Sequence, residues 1–381
     1  MAEKSALRAV ISTATPYDVM GYLLPGGAAV LCCFFFEFWL VRVDNADAAN
    51  ALLPTYALFH ALATGLADKS WAIATIFLGI AAAAIYIAGH IVASIAAIFL
   101  ERHLVQHGHG YPFSRYLDFR DPPTTPVTRP FYRALFIWAN VYILLRYVEV
   151  AFSSSAGSNR VVAFTANTLA WFLVVLILVK LVLSTRGLNQ SHSAGRYRSE
   201  ALNYIAAIIR YAATPYDLLA NLLKRSLDLH KPVSKPIREA FIRAMRERYE
   251  LEPGHWGSDA YWMSYLRVRT AGRSIAEPAD NWLRLYSFAR NLATAFYISF
   301  LYGYFVLAWN RFHSLNSGAG QITILIPVAF LFGALLMLSR YYYLYASYYT
   351  KYLIRAVAFV ESKSERSRTS SGSSSPSNTG A

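Results

Sequence analysis

Charge is scarce in this chain. Only 15% of its 381 residues are Asp, Glu, Lys or Arg, against about 25% in a soluble domain, too few to clothe an ordinary water-soluble fold. Cysteine is scarcer still. Cys32 and Cys33 stand side by side in an apolar run, which excludes both a C-x-x-C metal or redox pair and a disulfide framework. They read as small packing or lipid-facing residues. Catalytic signatures are missing as well: there is no P-loop, no G-x-G-x-x-G opening a helix, no G-x-S-x-G and no H-E-x-x-H, so no nucleotide, cofactor or standard hydrolase chemistry is implied. A cleavable leader is not expected, because the first apolar run holds Glu37 and has no small-x-small cleavage site.

What the chain has instead is hydrophobic blocks, which make up much of its 56% apolar content. They fall at 21–41, 71–100, 134–152, 161–184, 291–309 and 322–339. Each is close to the roughly 20 residues that cross a bilayer. A backbone in hydrocarbon must bond to itself, so these blocks predict helices rather than strands. The expected fold is therefore all-α: a polytopic bundle of about six transmembrane helices. The third block contains Arg146 and Glu149, three residues apart, which lets them pair on one helix face. Residues 48–67 are apolar but broken by Pro54 and Gly65, and predict a surface or re-entrant helix.

Cations set the orientation. Residues 101–133 carry Arg102, Arg115, Arg120, Arg129 and Arg133; sixteen Lys and Arg lie in 185–288 and six in 340–381. Placing both termini in the cytoplasm puts nearly all of them on one side, as the positive-inside rule requires. The net charge of +14 then points to anionic lipid at the inner face as a partner, and away from nucleic acid.

Residues 185–288 predict a basic, amphipathic, helical cytoplasmic module: Leu202, Ile205, Ile208 and Ile209 recur at helical spacing, as do Leu218, Leu219, Leu222 and Leu223, and then Ile237, Phe241 and Met245. This module is the expected site of a protein partner or of self-association. A Tyr-rich extension follows the sixth block, with seven tyrosines from Tyr341 to Tyr352, and reads as an interfacial belt. Residues 361–381 are rich in Ser and read as a disordered tail.

The sequence ATPYD occurs twice, at 14–18 and 213–217. In each copy Thr15 or Thr214 suits a helix N-cap, the following Pro the first turn, and Asp18 or Asp217 the third position, so both predict helix starts. The metal candidates are Glu101, His103, His107 and His109, with His103 and His107 at i, i+4. Intramembrane polar candidates are Glu37, expected to pair with Arg42 at the interface, His90, expected to bond between helices among small residues, and the Arg146–Glu149 pair.

The stretches "YIAGHIVASIAAIFLERHLV", "RLYSFARNLATAFYISF" and "RYYYLYASYYTKYLIRAVAF" resemble patterns in uncharacterised bacterial polytopic inner-membrane proteins, some of them from stress or anti-phage systems. The resemblance touches the second, fifth and sixth blocks, implies a bacterial inner membrane and carries over no catalytic residue. The reading this supports is a non-catalytic sensing, scaffold or effector protein, with an oligomeric pore as one form. The alternatives are a transporter or channel using Glu37, His90 and Arg146–Glu149, and a membrane enzyme acting on lipid through the 101–109 cluster.

Overall fold

Apolar runs of this length have one way to satisfy every backbone amide, and the chain takes it. The computed structural model describes residues 18–42, 53–67, 71–109, 112, 116–117, 128–151, 158–187, 197–226, 233–251, 258–312 and 325–372, which are 97% helical with no strand among them. In order, the helices are α1 (Leu24–Arg42, led by a wide π-turn at Val19–Leu23), α2 (Pro54–Ala67), α3 (Trp71–Ile95, widening to π geometry over Ala96–His109), α4 (Thr128–Ala151), α5 (Ser158–Gly187) and α6 (Tyr197–Ser226). They continue with α7 (Lys235–Tyr249), α8 (Ser258–Thr270), α9 (Arg273–Phe312), α10 (Leu325–Tyr343, then a π-turn at Leu344–Tyr349) and α11 (Thr350–Gly372).

Among the described residues four helical stretches are long and apolar enough to cross a membrane: Val19–Arg42, Ile73–Val105, Arg273–Asn310 and Leu325–Lys363. They contain the first and fifth predicted blocks and most of the second and sixth. The chain thus has the makeup of an integral membrane protein. Only 11% of the apolar 18-residue window of the second stretch is buried, and Ile76, Leu78, Ile80 and Ile87 are each about 60% exposed. A helix apolar on every side belongs in hydrocarbon. The third block, but for its last residue, lies in α4, which also carries Arg129 and Arg133 and falls outside the four; the fourth lies in α5, whose side chains are described over Val162–Leu178. At 14 residues α2 is too short to cross.

Two compact units emerge. One draws on residues 1–108, 125–220 and 287–341, the other on 109–124, 221–286 and 342–381. The predicted 185–288 module is therefore divided, with α6 up to Ala220 grouped in the first unit and the C-terminal helix joining the second.

In the first unit, α1 and α3 cross where each has a glycine. A Cβ on Gly26 would come within 2.6 Å of the Gly89 amide nitrogen, and one on Gly89 within 2.6 Å of the Tyr22 carbonyl carbon. No side chain fits there, so the backbones touch. Gly26 therefore serves close packing inside a continuous helix. The core beyond the crossing gathers Phe36, Leu40, Leu53, Tyr147, Phe300, Val306, Leu307, Ile326 and Leu331. Helix α4 meets α5 through Trp138–Phe172 ring contact and the Arg146–Asn167 bond, so the two run antiparallel.

Helix α6 corrects the reading of the second ATPYD. Pro215 lies inside one 30-residue helix rather than at the start of a new one. The Thr214 hydroxyl donates back to the Arg210 carbonyl at 3.3 Å and caps nothing. Packing overrides the local signal: Ala206, Ile209, Ala212 and Ala213, before the proline, share one cluster with Phe131, Ala134 and Leu176, and Tyr216, just after it, is buried with Leu100, Leu104 and Ala293. Proline removes the donor that the Tyr211 carbonyl would have used, and on the neighbouring turn the Trp138 indole donates to the Ala212 carbonyl at 2.9 Å. Trp138→Phe is expected to lose about 1 kcal/mol, seen as roughly fivefold faster amide exchange across 209–213 by mass spectrometry.

In the second unit, α7 buries Phe241, Ala244 and Met245. It stops where Glu250 adopts a left-handed φ of 52°, letting the Leu251 amide return to the Met245 carbonyl at 3.1 Å. Helix α11 packs along α7 and α8, burying Leu353, Ile354 and Val357. The Tyr run does not form a simple interfacial belt: Tyr341, Tyr345 and Tyr349, at i, i+4 and i+8, are buried. Tyr345 and Tyr349 meet Tyr286 at 5.1 and 5.2 Å between ring centroids, and Tyr348 stacks on Trp282 at 4.7 Å.

Candidate functional site

Glu37 is fully buried. One carboxyl oxygen accepts the Tyr302 hydroxyl from α9; the other accepts the Tyr56 amide at 2.5 Å. Tyr56 is the third residue of α2, and its N–H is one of those a helix cannot satisfy internally. Glu37 thus caps α2 from another helix. This corrects the expected Glu37–Arg42 pair. Five residues apart, the two side chains leave α1 in different directions, and Arg42 lies over the Phe38 ring at 5.9 Å.

Below Glu37 the same two helices exchange further bonds. Cys33 is buried with its sulfur 3.9 Å from the Ser299 hydroxyl, and the Asn291 amide donates to the Gly21 carbonyl at 2.6 Å. Partner numbers rise together from Gly21–Asn291 to Glu37–Tyr302, so α1 and this part of α9 run parallel.

Arg146 reaches Glu149 at 2.5 Å, as the i, i+3 spacing predicts, and also Asn167 of α5 at 2.6 Å. The pair therefore bolts α4 to α5. Glu101, placed in the metal candidate, is ion-paired with Arg290, which in turn donates to Asn291 at 3.1 Å. His103 places its Nδ1 2.6 Å from the Ile98 carbonyl, five residues back as π geometry allows. The side chains of His107 and His109 lie outside the described residues. Among the described residues no group of three or more His, Cys, Asp or Glu converges. His90 joins helices by ring contact rather than by a buried hydrogen bond: exposed on α3, it stacks on Tyr22 at 3.9 Å. Gly89, its neighbour, takes the close-packing position.

Of the four predicted cap residues, Thr15 lies outside the described residues. Asp18 has helical backbone angles, as a third residue of a helix would, while 15–17, the start of that turn, lie outside the described residues. Asp217 forms an ion pair with Arg133 at 2.7 Å, while the Arg133 Nε donates to the Gly108 carbonyl at 2.6 Å. One arginine so ties α6 to the end of the π segment after α3.

In the second unit the sequence reading missed the most engaged carboxylate. Glu361, assigned to a disordered tail, lies in α11 with 13% of its side chain exposed, and takes Arg248 of α7 on one oxygen and Arg267 of α8 at 2.6 Å on the other. Its signal was the apolar spacing of Leu353, Ile354 and Val357 just before it. Residues 373–381 lie outside the described residues. Nearby on α8, the Tyr265 hydroxyl donates to Asp280 at 3.1 Å, and burial, then the Asp280 charge, pushes that hydroxyl above its ordinary range. On the outside of α8, Trp262, Met263 and Leu266 are exposed, Trp262 by 54% and Leu266 by 53%.

The arrangement binds helices to helices. Glu37, Glu101, Arg146 and Glu361 each spend their polar atoms on a partner in another element. Neither a family model, nor a curated protein, nor a solved structure matches the chain.

Proposed function

We propose that this is a non-catalytic integral protein of the bacterial inner membrane, with six spans and both termini in the cytoplasm, that recruits a protein partner through the helical unit formed by α7, α8, the start of α9 and α11. The third and fourth spans are α4 and α5, whose charges in the bilayer are paired with each other as Arg146 and Glu149. The observation that carries the reading is the build of the second unit. Glu361 closes a helix from the end of the chain onto α7 and α8, while Trp262, Met263 and Leu266 are left open on α8. A rigid support with an exposed aromatic anchor suits docking, and among the described residues Glu37, Glu101, Arg146 and Glu361 are engaged in holding helices together.

A photo-crosslinking residue in place of Trp262, in full-length protein in native membranes, is expected to give one discrete protein adduct that Leu266→Glu diminishes. Adducts to lipid alone, or an adduct indifferent to Leu266→Glu, would remove the recruiting role.

A further inference from the structure

The fold accounts for two of the three faces of α6. Ala206, Ile209, Ala212 and Ala213 are buried against α4 and α5. Arg210, Thr214 and Asp217 make a polar strip along one side, with Asp217 held by Arg133. The third face is Tyr204, Ile208, Tyr211, Pro215 and Leu218, spaced four, three, four and three residues apart, which keeps them in one row on a 3.6-residue helix. That row is open: Tyr204 is 74% exposed, Ile208 61%, Tyr211 82% and Leu218 62%. A solvated helix with one packed face would show polar residues here.

We propose that this row lies in lipid, so that α6 is an interfacial helix strapped to the bundle, with its polar strip among the headgroups. The inference rests on the reading of α4 and α5 as spans, and three observations fix the occupant as lipid.

The first is depth. Helix α6 seats on Phe131, Ala134, Leu135 and Trp138 in the opening turns of α4, and on Phe172, Leu173 and Leu176 of α5. These two helices are antiparallel, so the α5 contact lies level with the opening turns of α4, where Arg129 and Arg133 precede the apolar block. The second is continuity. In the same unit α5 opens Phe164, Trp171, Val175 and Leu178 to the surroundings, and these are the residues a span presents to acyl chains. The third is charge. Arg129 and Arg133 begin α4, and Arg210 stands on the polar strip of α6. Cations beside exposed apolar residues and tyrosines match an anionic interface.

The test places single spin labels on the full-length Cys32→Ala/Cys33→Ala chain, reconstituted in mixed phosphatidylcholine and phosphatidylglycerol vesicles. Labels at Ile208→Cys and Leu218→Cys are expected to collide with oxygen in preference to a water-soluble nickel chelate, with an oxygen-to-nickel ratio several-fold above that at Arg210→Cys. Trp171→Cys on α5 reports the membrane reading independently. Preference for nickel at 208 and 218 while 171 keeps its preference for oxygen would overturn the lipid-facing row and leave the spans standing. Exclusion of both reagents at 208 and 218 would overturn it in favour of a second copy or another protein covering the row. Preference for nickel at 171 as well would overturn both readings.

Discussion

Glu361→Ala is expected to free α11 from α7 and α8, with the amides of 350–361 exchanging about 30- to 150-fold faster in the reconstituted full-length protein. The carboxylate takes two guanidinium groups. Hydrogen bonds between charged groups contribute about 1.5–3 kcal/mol each, and stranding a buried charge costs more. Solvent reduces the sum: Arg248 is 39% exposed and regains water on losing its partner, whereas Arg267 at 19% and Glu361 at 13% do so less. A net loss of about 2–3 kcal/mol follows. The asymmetry supplies the control. Arg248→Ala is expected to matter less than Arg267→Ala, and Glu361→Ala combined with Arg267→Ala should fall well short of the sum of the two single changes. Equal effects of the two arginine changes, or strict additivity, would show that apolar packing alone holds the helix. The same experiment bears on recruitment, since a loosened α11 removes the support behind Trp262.

Which parts of this architecture could be read from the chain follows from the range of the interactions involved. Long apolar runs reveal helices because the bilayer acts on every residue of them alike, and Arg146–Glu149 was legible because its partners are three positions apart. Glu37 was visible as an anomaly but not as a cap. Its hydroxyl donor is 265 residues away, one of 27 tyrosines in the chain, and nothing local distinguishes Tyr302 from the rest. The second ATPYD misled for a different reason. Proline at the first turn of a helix and proline inside one have the same neighbours in sequence, and only the row of Ala206, Ile209, Ala212 and Ala213 against α4 and α5 decides between them. Glu361 was hidden by composition: the Ser-rich residues that follow it drew the boundary of the tail too early.

Glu37→Ala is expected to be the most disruptive single change in the first unit. It would leave the Tyr302 hydroxyl and the Tyr56 amide unpaired at a fully buried position. Both partner residues are only half-buried, so the loss should be about 2–3 kcal/mol, short of that for a fully buried polar pair. A lower melting temperature in detergent and early exchange of the first-turn amides of α2 would register it. Glu37→Gln separates structure from transport. Glutamine keeps one carbonyl oxygen for the Tyr56 amide, and its NH₂ can donate to the Tyr302 hydroxyl, which accepts as readily as it donates. The network can therefore reverse one bond and survive, at a loss of about 1 kcal/mol. A proton path through Glu37 has no such escape, because an amide does not release and rebind a proton. Near-normal stability with intact recruitment in Glu37→Gln is the expected result. Proton flux into liposomes that is present in the wild type and abolished by Glu37→Gln, with the fold intact, would make this residue a relay and the chain a transporter.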